Sequence, residues 1–122
     1  MPDFGRWNAN GGDPSLNEIN RTDQFLDALA AQPRVRAVGE TGLDFYRTRE
    51  DDGHARQRES FARHIDIAKR HGIALMIHDR DAHDDVFRVL ESEGAPSTVV
   101  FHCFSGDAEM ARRCADLGYY MS

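Results

Sequence analysis

Apolar positions along the chain alternate between helical stripes and short continuous runs. From Asn20 onward, Phe25, Leu26, Leu29 and Ala30 recur on one helical face, and Pro33 closes that helix. Residues 35–39 read as a short apolar strand with Arg36 inside it, and residues 40–52 as a long charged connection. A second helix is predicted over 54–71, with Phe61, Ile65 and Ala68 as its buried stripe and Gly72 in the position of a left-handed cap. Residues 73–77 form a wholly apolar strand. A third helix over 82–93 buries Val86, Val89 and Leu90 and stops at Gly94. A strand over 98–101 follows, then a helix over 107–117 that starts at an Asp107 cap and stops at Gly118. Residues 119–121 open another strand. Residues 1–19, rich in Gly, Asn and Asp, read as a polar loop or unpaired end.

Continuous apolar strands separated by amphipathic helices specify a parallel sheet covered by helices, the α/β class. Two architectures satisfy that order, an open doubly wound sheet and a closed barrel. The open sheet would gain from a Gly-rich phosphate loop, but neither GxGxxG nor GxxxxGK[ST] occurs. The 122 residues are half of what a complete eight-stranded barrel of about 250 residues needs. The expected fold is a partial TIM (β/α) barrel of about three to four βα units, carried by residues 20–122 as a single domain.

Charge and cysteine usage narrow the function classes. A net charge of −6 argues against a broad basic surface for duplex nucleic acid, yet leaves a phosphodiester substrate open, because a bound metal supplies positive charge locally. The apolar runs are too short to span a bilayer, and no basic region followed by a long apolar stretch opens the chain. Cytoplasmic residence, with Cys103 and Cys114 as reduced thiols, is the expectation.

Chemistry concentrates where the apolar strands stop. Glu40, His78 and His102 each follow such a run directly. In a parallel sheet the C-terminal strand ends share one face, where α/β barrels build their sites. Singly, Glu40 reads equally well as the polar start of a turn, and each histidine as a hydrogen-bonded packing residue. Together they form a carboxylate and two imidazoles, a ligand set suited to zinc and similar divalent ions. His54, His64, His71 and His83 fall on predicted helices and read as solvated, as do Asp51, Asp52, Asp84 and Asp85. Ser105 is not in a GxSxG elbow, and Cys103 and His102 should point to opposite faces, so a nucleophile is disfavoured.

The segments Gly39-Glu-Thr-Gly-Leu-Asp44, Ile77-His-Asp-Arg-Asp-Ala82 and His102-Cys-Phe-Ser-Gly106 resemble, in order and spacing, the GETGLD, IHxRDA and HCFSG segments of the TatD family of metal-dependent hydrolases and deoxyribonucleases. The similarity extends over about residues 13–122. It implies a TIM-like barrel binding one or two divalent ions (magnesium, manganese or zinc), and hydrolysis of phosphodiester bonds, typically at DNA ends. It further implies Glu40, His78 and His102 as metal ligands. Arg80 becomes a phosphate partner, since a guanidinium fork suits phosphate oxygens; its alternative is pairing with Asp81 or Asp84. Asp44 and Ser105 would orient the site, with the alternative that Asp44 holds the long loop.

The chain departs from the family pattern in two places. It has no His-x-His, the ligand pair of the family's first strand, and no counterpart of the Asp on the family's last strand, so no general base is visible. The expectation is therefore a piece of a longer reading frame, weakly active or inactive alone. Two rival readings remain: an amide or ester hydrolase on the same barrel, and a non-catalytic half-barrel that self-associates through exposed sheet edges.

Overall fold

The computed structural model describes residues 23–47, 50–102 and 104–122. The polar stretch 1–19 and Cys103 lie outside them. Residues 23–30 are helical (α1). They are followed by β1 (Ala37–Asp44), α2 (Asp51–His71), β2 (Ala74–Arg80), α3 (His83–Glu93), β3 (Val99–Phe101), α4 (Ala108–Leu117) and β4 (Tyr120–Met121). The strands form one sheet, all parallel, in the order β1-β2-β3-β4. This is the α/β alternation expected from the apolar pattern.

Burial alternates along each strand, as a period of two requires. Leu75, Ile77, Val99 and Phe101 are sealed against the helices, in one core with Phe61, Ile65, Ala68, Val86, Leu90, Met110 and Cys114. Met76, His78, Val100 and His102 occupy the alternate positions and stay half-buried. The helix caps follow the sequence closely. Gly72 (φ 65°) and Gly118 (φ 78°) are left-handed, and the Asp107 carboxylate accepts from the Met110 N–H.

Three expectations need correcting. The strands run further than their apolar runs: β1 starts at Ala37 and continues through Glu40 to Asp44, and β2 continues through His78 to Arg80. Strand pairing is a backbone property, and a polar side chain on the open face does not interrupt it. The α1 stripe is split. Ala30 is buried, but Phe25 is 67% and Leu29 44% exposed. Leu29 borders an open groove beside β1, an edge strand with no neighbour on that side among the described residues.

The histidines expected in solvent instead tie elements together. His71 Nε2 lies 2.8 Å from Asp27 Oδ1, joining α2 to α1, and Arg70 reaches the same oxygen at 2.8 Å. His64 connects α2 to Thr41 of β1. His83 binds the buried Asp79 at 2.6 Å, and His54 stacks on Phe45 with ring centroids 3.7 Å apart. Asp85 pairs with Arg58 and Arg88, and Asp84 with Arg113.

Two predictions follow from this packing. Gly42 has φ 137°, and a Cβ there would collide with the His78 carbonyl. Gly42→Ala is expected to cost about 3 kcal/mol or more, whereas Gly72→Ala, with open space around it, should cost about 1 kcal/mol; urea unfolding compares them. The His71 hydrogen bond leads the influences that hold the Asp27 carboxyl below its ordinary value, with Arg70 adding to it against the opposing effect of burial. A depressed folded-state pKa contributes stability above the unfolded value and loses it as pH falls through the folded one. Asp27→Asn should thus lower the melting temperature at neutral pH and flatten its decline below about pH 4.

Candidate metal centre

Between Val38 and Thr41 the register of β1 against β2 slips: Val38 pairs with Leu75 and Thr41 with Ile77, so two residues oppose Met76 alone. Glu40 lies in this bulge. Its carboxylate extends between two imidazoles, with Oε1 3.4 Å from His78 Nδ1 and Oε2 3.6 Å from His102 Nε2. Each of the three side chains is 41% exposed, open to a ligand. Met76 pairs with Val100 and Ile77 with Phe101, so the next step of that register sets His78 beside His102.

His78 is held from its far side. Its Nε2 lies 2.9 Å from Asp44 Oδ2. With the proton on Nε2, shared with that carboxylate, Nδ1 keeps its lone pair toward Glu40. Asp44 is itself fixed. The Arg47 N–H donates to Oδ1 at 2.9 Å, while the Gln57 side chain accepts from the Asp44 N–H at 2.8 Å and donates to its carbonyl at 3.2 Å. Gln57 thereby stands in for a neighbouring peptide on the open edge of β1. Burial pushes the Asp44 carboxyl upward, but the Arg47 N–H and the His78 hydrogen bond outweigh it, and the group stays below its ordinary range. The neighbouring Asp79 faces the helices. Burial raises its pKa against the opposing bond from His83, and its Oδ1 accepts from the Ala82 N–H at the start of α3.

The donor set and spacing fit a divalent ion as part of a site. Bonds of about 2.0–2.2 Å in tetrahedral array place neighbouring ligand atoms about 3.4 Å apart. The two Glu40–imidazole separations lie near that edge length. Among the described residues no three His, Cys, Asp or Glu side chains are placed so as to hold a metal ion as they stand. The cluster borders an open cleft of about 560 Å³, lined also by Arg47, Gln57, Ser60 and His64.

The other sequence-predicted residues lie around this centre. Arg80 does not pair with Asp81 or Asp84; its guanidinium carbon sits 3.8 Å from the centroid of the Tyr46 ring. Ser105 donates to the Asp79 carbonyl at 3.2 Å and so ties the β3–α4 loop to the end of β2. Asp44 both orients His78 and holds the following turn. Sequence reasoning missed Gln57, Tyr46 and the chain Asp23–His64–Thr41. In that chain His64 Nδ1 lies 2.6 Å from Thr41 Oγ1 and His64 Nε2 3.5 Å from Asp23 Oδ1. His64 sits three residues after the buried Phe61, a spacing that could have placed it on the inner stripe.

The TatD related DNase family model matches residues 7–122. The chain belongs to the TatD family. It is 58% identical over 100 residues to the uncharacterized metal-dependent hydrolase TatD of Mycobacterium tuberculosis, covering 80% of this chain and 38% of that protein. It is 36% identical over 102 residues to the 3'-5' ssDNA/RNA exonuclease TatD of Escherichia fergusonii, covering 82% of this chain and 38% of that protein. The solved structure of the TatD homologue YjjV from Escherichia coli K12 superposes with a TM-score of 0.70 at 31% identity, over 91% of this chain and 41% of that one. The sheet is thus part of a TIM-type barrel, and the chain spans about two fifths of the length of the relatives it matches. No described helix is long and apolar enough to cross a membrane.

The Thr41–His64 bond closes just behind Glu40, and its contribution is measurable. Thr41→Val and His64→Leu are each expected to lower unfolding stability by about 1–3 kcal/mol, since each strands a part-buried partner. A double-mutant cycle should return a coupling of about 1 kcal/mol; strictly additive losses would show that the bond contributes nothing.

Proposed function

We propose that this chain contributes Glu40, His78 and His102 as ligands to a divalent-cation site that serves hydrolysis of phosphodiester bonds in nucleic acid. The observation that carries the reading is the Glu40 carboxylate set between two imidazoles at 3.4 and 3.6 Å. The TatD family and the exonuclease relative favour nucleic acid over an amide or ester substrate. On this reading residues 20–122 supply central strands of the barrel.

A divalent ion there would polarise a phosphoryl oxygen and lower the pKa of bound water. The chain's own residues perform the positioning. Asp44 holds the His78 proton on Nε2 and keeps Nδ1 available as a donor atom. Gln57 and the Arg47 backbone keep Asp44 from swinging away. Arg47, with its side chain 80% exposed at the cleft, and Arg80 present guanidinium groups to phosphate oxygens. Ser105 acts indirectly, by fixing the end of the strand that carries His78 and Arg80.

Calorimetric titration with zinc and with manganese tests this. The chain should bind either ion with modest affinity, Glu40→Ala and His78→Ala should abolish the heat, and Asp44→Asn should weaken binding about 10–100-fold. Binding that survives Glu40→Ala and His78→Ala, or no binding by the unaltered chain, would overturn the assignment of these three residues as a cation site.

A further inference from the structure

We propose that Tyr46 and Arg80 form a stacking platform for a single unpaired nucleobase beside the Glu40–His78–His102 cluster. The inference rests on the phosphodiester reading above and adds to it the part of the substrate that carries no charge.

Arg80 follows His78 by two residues on β2, so both side chains stand on the same face of the sheet. The strand rise places Arg80 about 6.6 Å beyond His78, toward the C-terminal rim. One nucleotide spans that interval, and a phosphate at the cluster therefore brings an adjoining base to the platform. Both members are fixed at the backbone. Asp44 and Arg80 are register partners, and the Phe45 N–H donates to the Arg80 carbonyl at 2.9 Å. Phe45 is in turn stacked on His54. Tyr46 thus extends from an anchored turn.

The pair is also chemically suited to a base. A guanidinium plane and a phenol ring lie 3.8 Å apart, and Tyr46 remains 47% exposed with that cation over it. Among the described residues Arg80 forms no ion pair with a carboxylate, and Asp84 is engaged by Arg113. The guanidinium is therefore open to an incoming phosphate or the face of a base. Stacking on an aromatic ring tolerates every base, because every base has a π-face, and it requires a base free of its own duplex stack. With a net charge of −6 the chain has no excess of basic side chains, and local stacking adds affinity that its net charge does not.

The test compares two fluorescein-labelled ligands by anisotropy on the full chain: an oligothymidylate about five nucleotides long and an abasic chain of equal length. Measurements are made in chelator and again with manganese. The unaltered chain should bind the thymidylate about tenfold more tightly than the abasic ligand. Tyr46→Leu should erase that difference, and Tyr46→Phe should preserve it. Arg80→Lys, which keeps the charge but not the plane, should reduce the difference. Equal affinity for the two ligands, or a preference that persists in Tyr46→Leu, overturns the platform. The abasic ligand reports on the parent reading separately. Manganese should tighten its binding, and Glu40→Ala should remove that effect. A manganese effect insensitive to Glu40→Ala would sink the cation site while leaving the base preference interpretable. Failure to bind either ligand would overturn both.

Discussion

Two residues of β1, Gly39 and Glu40, oppose the single residue Met76 of β2, and the placement of Glu40 opposite His78 and His102 depends on that extra residue. In a regular strand Glu40 would share a face with Val38, which is buried against the helices. An unpaired carboxylate there would carry a desolvation cost that no neighbouring cation offsets. The bulge changes the phase. Thr41 and Leu43 return to the buried face, and Glu40 reaches the open side where His78 and His102 stand. Bulges re-aim a side chain in this way beside functional sites. The close approach of Gly39 to Met76 and of Gly42 to the His78 carbonyl allows the strand to pass through the irregularity without a clash.

A bulge weakens local pairing, and the surrounding contacts restore what it loses. Thr41, the first residue back in register, is tied to His64 on α2, and Asp23 on α1 approaches the other nitrogen of the same ring. Asp44, the last residue of β1, is held at its backbone by Gln57 from α2. The irregular stretch is thus clamped by α2 at both ends. Because α2 also contributes Phe61, Ile65 and Ala68 to the core, the position of Glu40 is coupled to packing on the far side of the sheet.

Much of this was legible in the sequence, and the remainder was hidden for identifiable reasons. Apolar stripes with glycine stops located α2, α3 and α4 to within a few residues, because burial at helical spacing and left-handed caps are local signals. The strands were cut short because an apolar run ends at the first polar residue, while the backbone ladder of β2 continues beneath His78 and Arg80. The structure brings Glu40, His78 and His102 together, but the sequence placed them after strands, when two of them lie within strands. The bulge had no sequence signature apart from Gly39. His64 and His71 were assigned to solvent although each stands three residues after a buried position, Phe61 and Ala68, and so belongs to the edge of the buried stripe. Gln57 could not be foreseen, since its role exists only where a strand edge meets a helix.

The exposure of the centre follows from the same architecture. The described helices cover one face of the sheet, and the cluster lies on the other, with Met76 and Val100 half-buried around it. A cation in such an open setting experiences the screening of water, in which attraction between charges a few ångströms apart amounts to about 1 kcal/mol. On the proposed reading, enclosure by further barrel wall would lower the local dielectric and strengthen the hold of Glu40, His78 and His102 on an ion without moving them. Ligand geometry and ligand strength are thus set by different parts of a barrel of this kind. On that reading the bulge and its clamps on α2 set where the Glu40 carboxylate points, and closure of the surrounding sheet sets how tightly an ion is held.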